Sequence, residues 1–413
     1  MPSPNETTTA PVAEGSRSRE LCELEDRYGA HNYRPLDVVI ERGEGAFVWD
    51  VEGRKYLDGL AAYSAVSQGH CHPRIVEALI EQSRKVTLTS RAFRNARLGD
   101  FYRTVCELFG YRRALPMNTG AEAVETAIKA ARKWGMEVKG LADGEAEILV
   151  FDGNFHGRTT TIVGFSSEEQ YRRGFGPFTP GFRRLPYGDV DAVADAFHER
   201  VAAVLFEPIQ GEGGIVIPPD GYLRALRELC DRHGALLIAD EIQSALGRTG
   251  YLLACEHEQV RPDVVVLGKA LSGGLYPVSV MLADDEVMEV FRPGDHGSTY
   301  GGNPLAAAVG IAALQVLVDE DLCARSARLG AAALERLRTA RLRGVREIRG
   351  RGLWIGIELE RAAGGARRVC ERLQEEGLLC KETHDHVIRF APPLVIEEQD
   401  LDWALSRIEE ALR

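Results

Sequence analysis

Lys269 lies in Leu267-Gly268-Lys269-Ala270-Leu271-Ser272-Gly273-Gly274, directly after the apolar run Val264–Leu267. A lysine amine becomes a nucleophile when it is desolvated and its pKa falls. Residues without bulk around Lys269 leave room for a planar ring against the backbone. A lysine at a strand end could equally reach for water. Asp240 closes the run Ala235-Leu236-Leu237-Ile238-Ala239, and a carboxylate there is costly to bury without a cationic partner. A protonated pyridine nitrogen is such a partner. A structural salt bridge, or a metal shared with Glu241, is another. Met117-Asn118-Thr119-Gly120-Ala121-Glu122-Ala123 opens a helical pattern. Backbone N–H groups and the helix dipole attract phosphate at such a start, although capping by Thr119 fits the same residues. Gly153-Asn154-Phe155-His156-Gly157-Arg158 offers an aromatic face in Phe155 and a bidentate carboxylate ligand in Arg158. A core phenylalanine and a surface arginine are the plainer alternative.

These residues follow short apolar runs. Glu207 follows Ala202–Phe206, Asp240 and Glu241 follow Leu236–Ala239, and Lys269 follows Val264–Leu267. With Ile148–Phe151 and Val278–Leu282, these runs are continuously apolar, as in strands covered on both faces of a mostly parallel sheet. Open α/β sheets bind ligands at the carboxyl ends of their strands, so the three groups are expected to converge. Ala121–Trp134 reads as a helix with Val124, Ile128 and Ala131 on one face. Phe47–Tyr56 reads as a hairpin turning at Glu52-Gly53. Beyond Asn303-Pro304, Ala/Leu/Arg-rich helices run to about residue 340. They precede a strand in Gly352–Leu359, a helix near 365–376, a strand at Val387–Phe390 and a final helix. The expected organisation is a tail at 1–18, an N-terminal segment at 19–60, a large domain at 61–304 and a small α+β domain at 305–413.

The net charge of −12 over 413 residues argues against nucleic-acid binding, which needs a basic stripe. The eight cysteines include no Cys-x-x-Cys pair and read as free thiols of a reducing compartment. Leu305–Val318 is too short for a membrane span and reads as a buried helix. The first residues carry no apolar signal region, and Glu6, Glu14 and Glu20 argue against an acid-poor transit peptide. The expected location is cytoplasmic.

Taken together, these residues resemble the class III (ω-amino acid) aminotransferases, and within them the members that act on ornithine. The resemblance covers roughly residues 22–413. It rests on GAHNYRPLDVVIERGEGAFVWDVEGRKYLDGLAAYSAVSQGHCHP, LTSRAF, MNTGAEAVETAIKAARKWG, NFHGRTT, EPIQGEGG, ADEIQSALGRTG, LGKALSGGLYPVS and HGSTYGGNPL in that order. It implies the fold-type I architecture and pyridoxal 5'-phosphate carried by Lys269. Asp240 would face the pyridine nitrogen, Gln243 the ring's phenolic oxygen and Phe155 the ring face. Thr119, Gly120 and Ala121 would hold the phosphate, helped by Thr299 from the neighbouring subunit of a homodimer. Tyr33 and Arg158 would hold the α-amino and α-carboxylate groups of ornithine, and Tyr63 would wall the pocket. Glu212 and Arg389 would pair with each other when ornithine is bound. Arg389 would be released to the α-carboxylate of 2-oxoglutarate or glutamate, so that one cavity takes both substrates. The sequence departs from the family pattern at Ser67 (usually Asn), Gly213 (usually Ala) and Ser244-Ala245 (usually Thr-Gly).

The rivals are weaker. Other ω-amino donors are N-acetylornithine, 4-aminobutyrate and lysine, against which Tyr33 and Tyr63 weigh. A metal hydrolase would need His70 and His72 as ligands, but His70-Cys71-His72 is too close for a helical ligand pair and suits a turn before Pro73. For a dinucleotide loop, Gly350-Arg351-Gly352 with Gly356 is one residue too long and precedes a strand. A non-catalytic interaction protein has no need of a lysine, an aspartate and an arginine at strand ends.

Overall fold

The protein was studied as a computed structural model that describes residues 16–413. Its centre is a seven-stranded sheet in the order Arg113–Met117, Ser279–Ala283, Val264–Leu267, Leu236–Asp240, Val201–Phe206, Glu147–Phe151, Phe182–Leu185. The strands from Val264–Leu267 to Phe182–Leu185 are parallel. Ser279–Ala283 is antiparallel to both its neighbours. The three strands that lead to Glu207, Asp240 and Lys269 are buried at every position. Alternate side chains explain why. Ala203, Leu205 and Ile238 pack under the helix Gly120–Glu137. Val204, Phe206, Leu237 and Ala239 pack under the helix Tyr222–His233. Both faces are covered, so neither alternates with polar residues.

The five strands expected from sequence all form, with the last shifted to Ser279–Ala283. The helix expected at 121–134 extends to Gly120–Glu137. Arg113–Met117 and Phe182–Leu185 escape the apolar pattern because they lie at the two sheet edges, where Arg113, Arg183 and Arg184 reach water.

A second sheet joins Ile40–Glu44, Phe47–Asp50, Lys55–Asp58 and Leu378–Leu379, the last pairing parallel to Lys55–Asp58. The hairpin closes as expected, with Gly53 at φ +82° and its N–H bonded to Asp50 O at 2.9 Å. A third sheet orders Val345–Arg351, Trp354–Leu359, Val387–Phe390 and Lys381–Thr383. The helix Pro304–Asp319, placed by sequence at the head of the small domain, packs on Pro73–Ser83, Leu98–Phe109 and Lys269–Ser272 of the large body. Most of the tail expected at 1–18 lies outside the described residues. Its last residues are helical rather than tail: Ser16 caps the helix Arg17–Tyr28, and the buried Ser18 donates its N–H to Glu52 at 2.9 Å. That side-chain cap and carboxylate anchor order the chain from Ser16 onward.

Candidate active site

Asp240 is the last residue of its strand and is buried. Its Oδ1 accepts from Ile242 N at 3.1 Å and its Oδ2 lies 2.7 Å from His156 Nδ1. An ionised carboxylate only accepts, so the imidazole donates. Burial opposes charge on His156, but Asp240 outweighs it and raises the imidazole pKa. The other ring nitrogen of His156 is buried without a partner. Glu207, one strand over, accepts from Phe155 N at 3.0 Å. Burial pushes Glu207 up to about 8, against the pull of His156 and with the help of Asp240.

Lys269 follows the buried strand Val264–Leu267 and has φ +44°. Its surroundings desolvate the amine and lower its pKa, although the carboxylates of Glu212, Asp240 and Glu207 oppose that shift. A cavity of about 180 Å³ is lined by Gly120, Ala121, Phe155, Asp240, Ile242, Gln243 and Lys269, among others. It thus unites the sequence candidates from four separate segments.

Thr119 and Glu122 form a reciprocal capping box at the start of the helix. Glu122 accepts from the N–H groups of Asn118 and Thr119 at 2.8 and 3.0 Å. The N–H groups of Gly120 and Ala121 open the helix's first turn, where none has an intrahelical acceptor, and both residues line the cavity. A Cβ on Gly120 would lie 2.8 Å from Ile242 Cδ1, so the end of that side chain would have to shift. Capping therefore leaves the N–H groups of Gly120 and Ala121 open to an anion. Thr119 is exposed, and its hydroxyl proton remains available to an anion. Thr299 lies exposed on the loop after Ser298, which bonds Asn118, and Thr299 does not line the cavity of its own chain.

The cavity fits pyridoxal 5'-phosphate. It supplies a carboxylate for a cationic ring nitrogen, an amine of lowered pKa, two free N–H donors for a phosphate and the apolar flanks of Phe155 and Ile242.

Beyond the cavity, Gln243 Nε2 donates to Glu212 Oε1 at 3.4 Å, and Arg389 Nη1 meets the same oxygen at 2.7 Å. Arg389 is buried, and its Nε has no partner. Burial alone would push Glu212 up, but Arg389 and Lys269 hold its carboxyl below the ordinary value. The Arg389 guanidinium lies 4.7 Å from the Tyr63 ring centre. Arg158 lies 6.0 Å from the Tyr33 ring and 5.7 Å from that of Phe155. Tyr171, which the sequence did not single out, is nearer to Arg158, at 4.5 Å.

Two strained segments hold this arrangement. Ala61, Ala62, Tyr63 and Ser64 all have positive φ, from +46° to +72°. A left-handed turn of L-residues costs about 1–2 kcal/mol per residue. Asp58 holds it, accepting from Leu60 and Ala61 N at 2.9 Å while bonding His70 Nε2 at 2.8 Å. Ile215, three residues after Glu212, has φ +56°, which for a β-branched residue costs about 1–3 kcal/mol. None of these five left-handed residues is glycine or asparagine, so residue type alone did not announce them. His70 and His72 are committed separately, His72 Nε2 bonding Glu320 at 2.9 Å. Glu241 accepts from Ser244 Oγ at 2.5 Å and Cys255 N at 2.9 Å.

Comparison with known proteins agrees with this geometry. The aminotransferase class-III family model matches residues 28–412. Ornithine aminotransferase 2 of Staphylococcus aureus (strain Mu50) is 58% identical over 398 residues, covering 96% of this chain and all of that protein. A solved ornithine aminotransferase of Toxoplasma gondii, with partial occupancy of PLP at its active site, superposes at TM-score 0.94 with 46% identity, covering 96% of this chain and 94% of that one. The acetylornithine aminotransferase of Elizabethkingia anophelis superposes at TM-score 0.87 with 48% identity, covering 96% and 98%. The fold is that of the fold-type I PLP-dependent transferases. On its sequence, its fold and the contents of its cavity, the chain belongs to the class III aminotransferases.

Proposed function

We propose that the protein transfers the δ-amino group of L-ornithine to 2-oxoglutarate, giving glutamate-5-semialdehyde, which cyclises to pyrroline-5-carboxylate, and glutamate. The observation that carries this reading is the Glu212–Arg389 pair, 2.7 Å apart beside the cavity that holds Lys269 and Asp240. Such a pair neutralises Arg389 while an amine-ended substrate is bound and can yield it to a carboxylate-ended one. The 58% identity to a named ornithine aminotransferase supports the same donor.

Pyridoxal 5'-phosphate supplies an aldehyde that receives the amino group and a ring that draws electrons from the neighbouring carbon. Lys269 would carry it and Asp240 would face the ring nitrogen, with Asp240 held by its bond to His156. Phe155 would cover the ring, Gln243 would sit beside its phenolic oxygen, and Gly120, Ala121 and Thr119 would take the phosphate. With its pKa lowered, Lys269 Nζ is suited to take a proton from the δ-carbon of ornithine and return one. Tyr33 and Arg158 grip the α-amino and α-carboxylate groups, Tyr63 closes the wall, and the distal amine reaches the reacting centre.

The working unit is a homodimer in which Thr299 completes the neighbour's phosphate site. Support comes from the exposure of Thr299 and of the large apolar residues Phe93 (73%) and Tyr300 (53%). The cytoplasm is the proposed location, supported by eight free cysteines. No helix among the described residues is long and apolar enough to cross a membrane.

The test is spectroscopic. Ornithine added without any oxo acid should bleach the cofactor's visible band, and faster than N-acetylornithine, 4-aminobutyrate or lysine does. Lys269→Ala should lose the lysine-linked band and at least about 10³-fold in kcat. A band indifferent to ornithine, or faster bleaching by N-acetylornithine, overturns the substrate assignment.

A further inference from the structure

Glu212 sits on the loop after Val201–Phe206 of the large sheet, whereas Arg389 sits on Val387–Phe390 of the third sheet. Their pairing depends on what holds that loop against that sheet. In the third sheet Arg349 lies opposite Gly356, and Gly356 opposite Arg389. Residues opposed across antiparallel strands share a face, so the two arginines flank a bare glycine on one face. The loop settles into the gap: a Cβ on Gly356 would lie 3.1 Å from Gly214 O. Arg389 takes the Glu212 carboxylate. Arg349 takes the backbone behind it, donating from Nε to Gly214 O at 3.0 Å and Ile215 O at 3.1 Å, and from Nη2 to Gly214 O at 2.8 Å. Arg349 is itself fixed, its Nη1 bonding Glu347 at 2.7 Å and Glu358 at 2.5 Å, and its side chain is 11% exposed. Thr383 Oγ1 adds a bond to Glu212 O at 2.8 Å. The two carbonyls that Arg349 holds belong to Gly214 and the left-handed Ile215, a conformation that persists only where its surroundings over-determine it.

We propose that Arg349, with Thr383, is a positioning residue that sets the preference between amine-ended and carboxylate-ended substrates by pinning the Glu212 backbone. This rests on the Glu212–Arg389 reading above. With the loop pinned, Arg389 must leave Glu212 behind to take a dicarboxylate, and Glu212 is in place to mask Arg389 again afterwards. With the pin removed, Glu212 masks Arg389 poorly, and glutamate competes better with ornithine as amino donor.

The experiment compares half-reactions of the holoenzyme with ornithine and with glutamate. In Arg349→Gln and in Thr383→Val, the ornithine-to-glutamate ratio of kcat/KM should fall roughly three- to thirty-fold, mainly through a lower KM for glutamate. Arg349→Lys, which keeps the charge but not the fork of donors, should fall between wild type and Arg349→Gln. Equal losses for both donors would mark a merely structural residue and overturn the proposal, as would an unchanged ratio. Should Arg349→Gln fail to fold, Thr383→Val decides by the same ratio. Arg389→Ala is the control: if it leaves the KM for glutamate and 2-oxoglutarate unchanged, the switch reading falls and this proposal with it. If it raises both KM values while Arg349→Gln and Thr383→Val leave the ratio alone, this proposal alone falls.

Discussion

Glu207, His156 and Asp240 lie together out of water, and Asp240 helps to raise the pKa of the other two. Glu207, at about 8 against an ordinary 4.5, keeps a proton in the folded protein that the unfolded chain releases. Between those two values the native state binds more protons than the unfolded state, so this group makes stability fall as pH rises. Glu207→Gln keeps an acceptor for Phe155 N–H but cannot ionise. Its melting temperature should decline less than that of the parent as pH rises from 4.5 to about 8. Parallel curves would show Glu207 charged throughout. Asp240 and Lys269 were legible because each ends a continuous apolar run. The pairing of His156 with Asp240 was not, since nothing in Phe155-His156-Gly157 says which carboxylate, 84 positions away, accepts its hydrogen bond.

The helix Leu322–Thr339 meets the turn after Val345–Arg351 backbone to backbone. A Cβ on Gly330 would lie 2.0 Å from the carbonyl carbon and oxygen of Gly352, and neither can rotate away. Gly330→Ala should therefore separate helix and turn, costing about 3 kcal/mol, readable in a urea titration. A loss under about 1 kcal/mol would mean that the helix slides freely. Elements with a covered apolar pattern were legible, including the buried helix within Pro304–Asp319. Val345–Arg351 was not, because its arginines and glutamates conceal strand periodicity. Their pairing explains the concealment, since Arg349 and Glu358 satisfy each other across the hairpin at 2.5 Å.

Across the whole protein, one buried cation ties distant segments. Arg248 is fully buried and donates to Leu353 O and Pro392 O at 2.8 Å each and to Ser67 Oγ at 3.1 Å. Ser67 in turn donates to Ser64 O at 2.9 Å, at the end of the left-handed turn that carries Tyr63. Arg248→Met would leave three acceptors unpaired in a dry interior, at about 1–3 kcal/mol each before relaxation. We expect a loss on the order of 3 kcal/mol and a weakened Tyr63 wall, seen as a lower melting temperature and a raised KM for ornithine. An unchanged KM would separate the strut from the pocket. Motif order made the general architecture legible, but the interior ties between its parts depend on carbonyls that any sequence supplies.

Leu378–Leu379 completes the sheet begun by the N-terminal hairpin, pairing with Leu57 and Asp58 from the other end of the chain. On the ribosome, the hairpin is made long before its partner strand. Until Leu378–Leu379 is made, Lys55–Asp58 lacks its parallel neighbour and leaves a row of peptide groups open to another strand, and this long-range pairing cannot begin. Chains interrupted before Leu378 should therefore leave that edge unsealed and prone to aggregate.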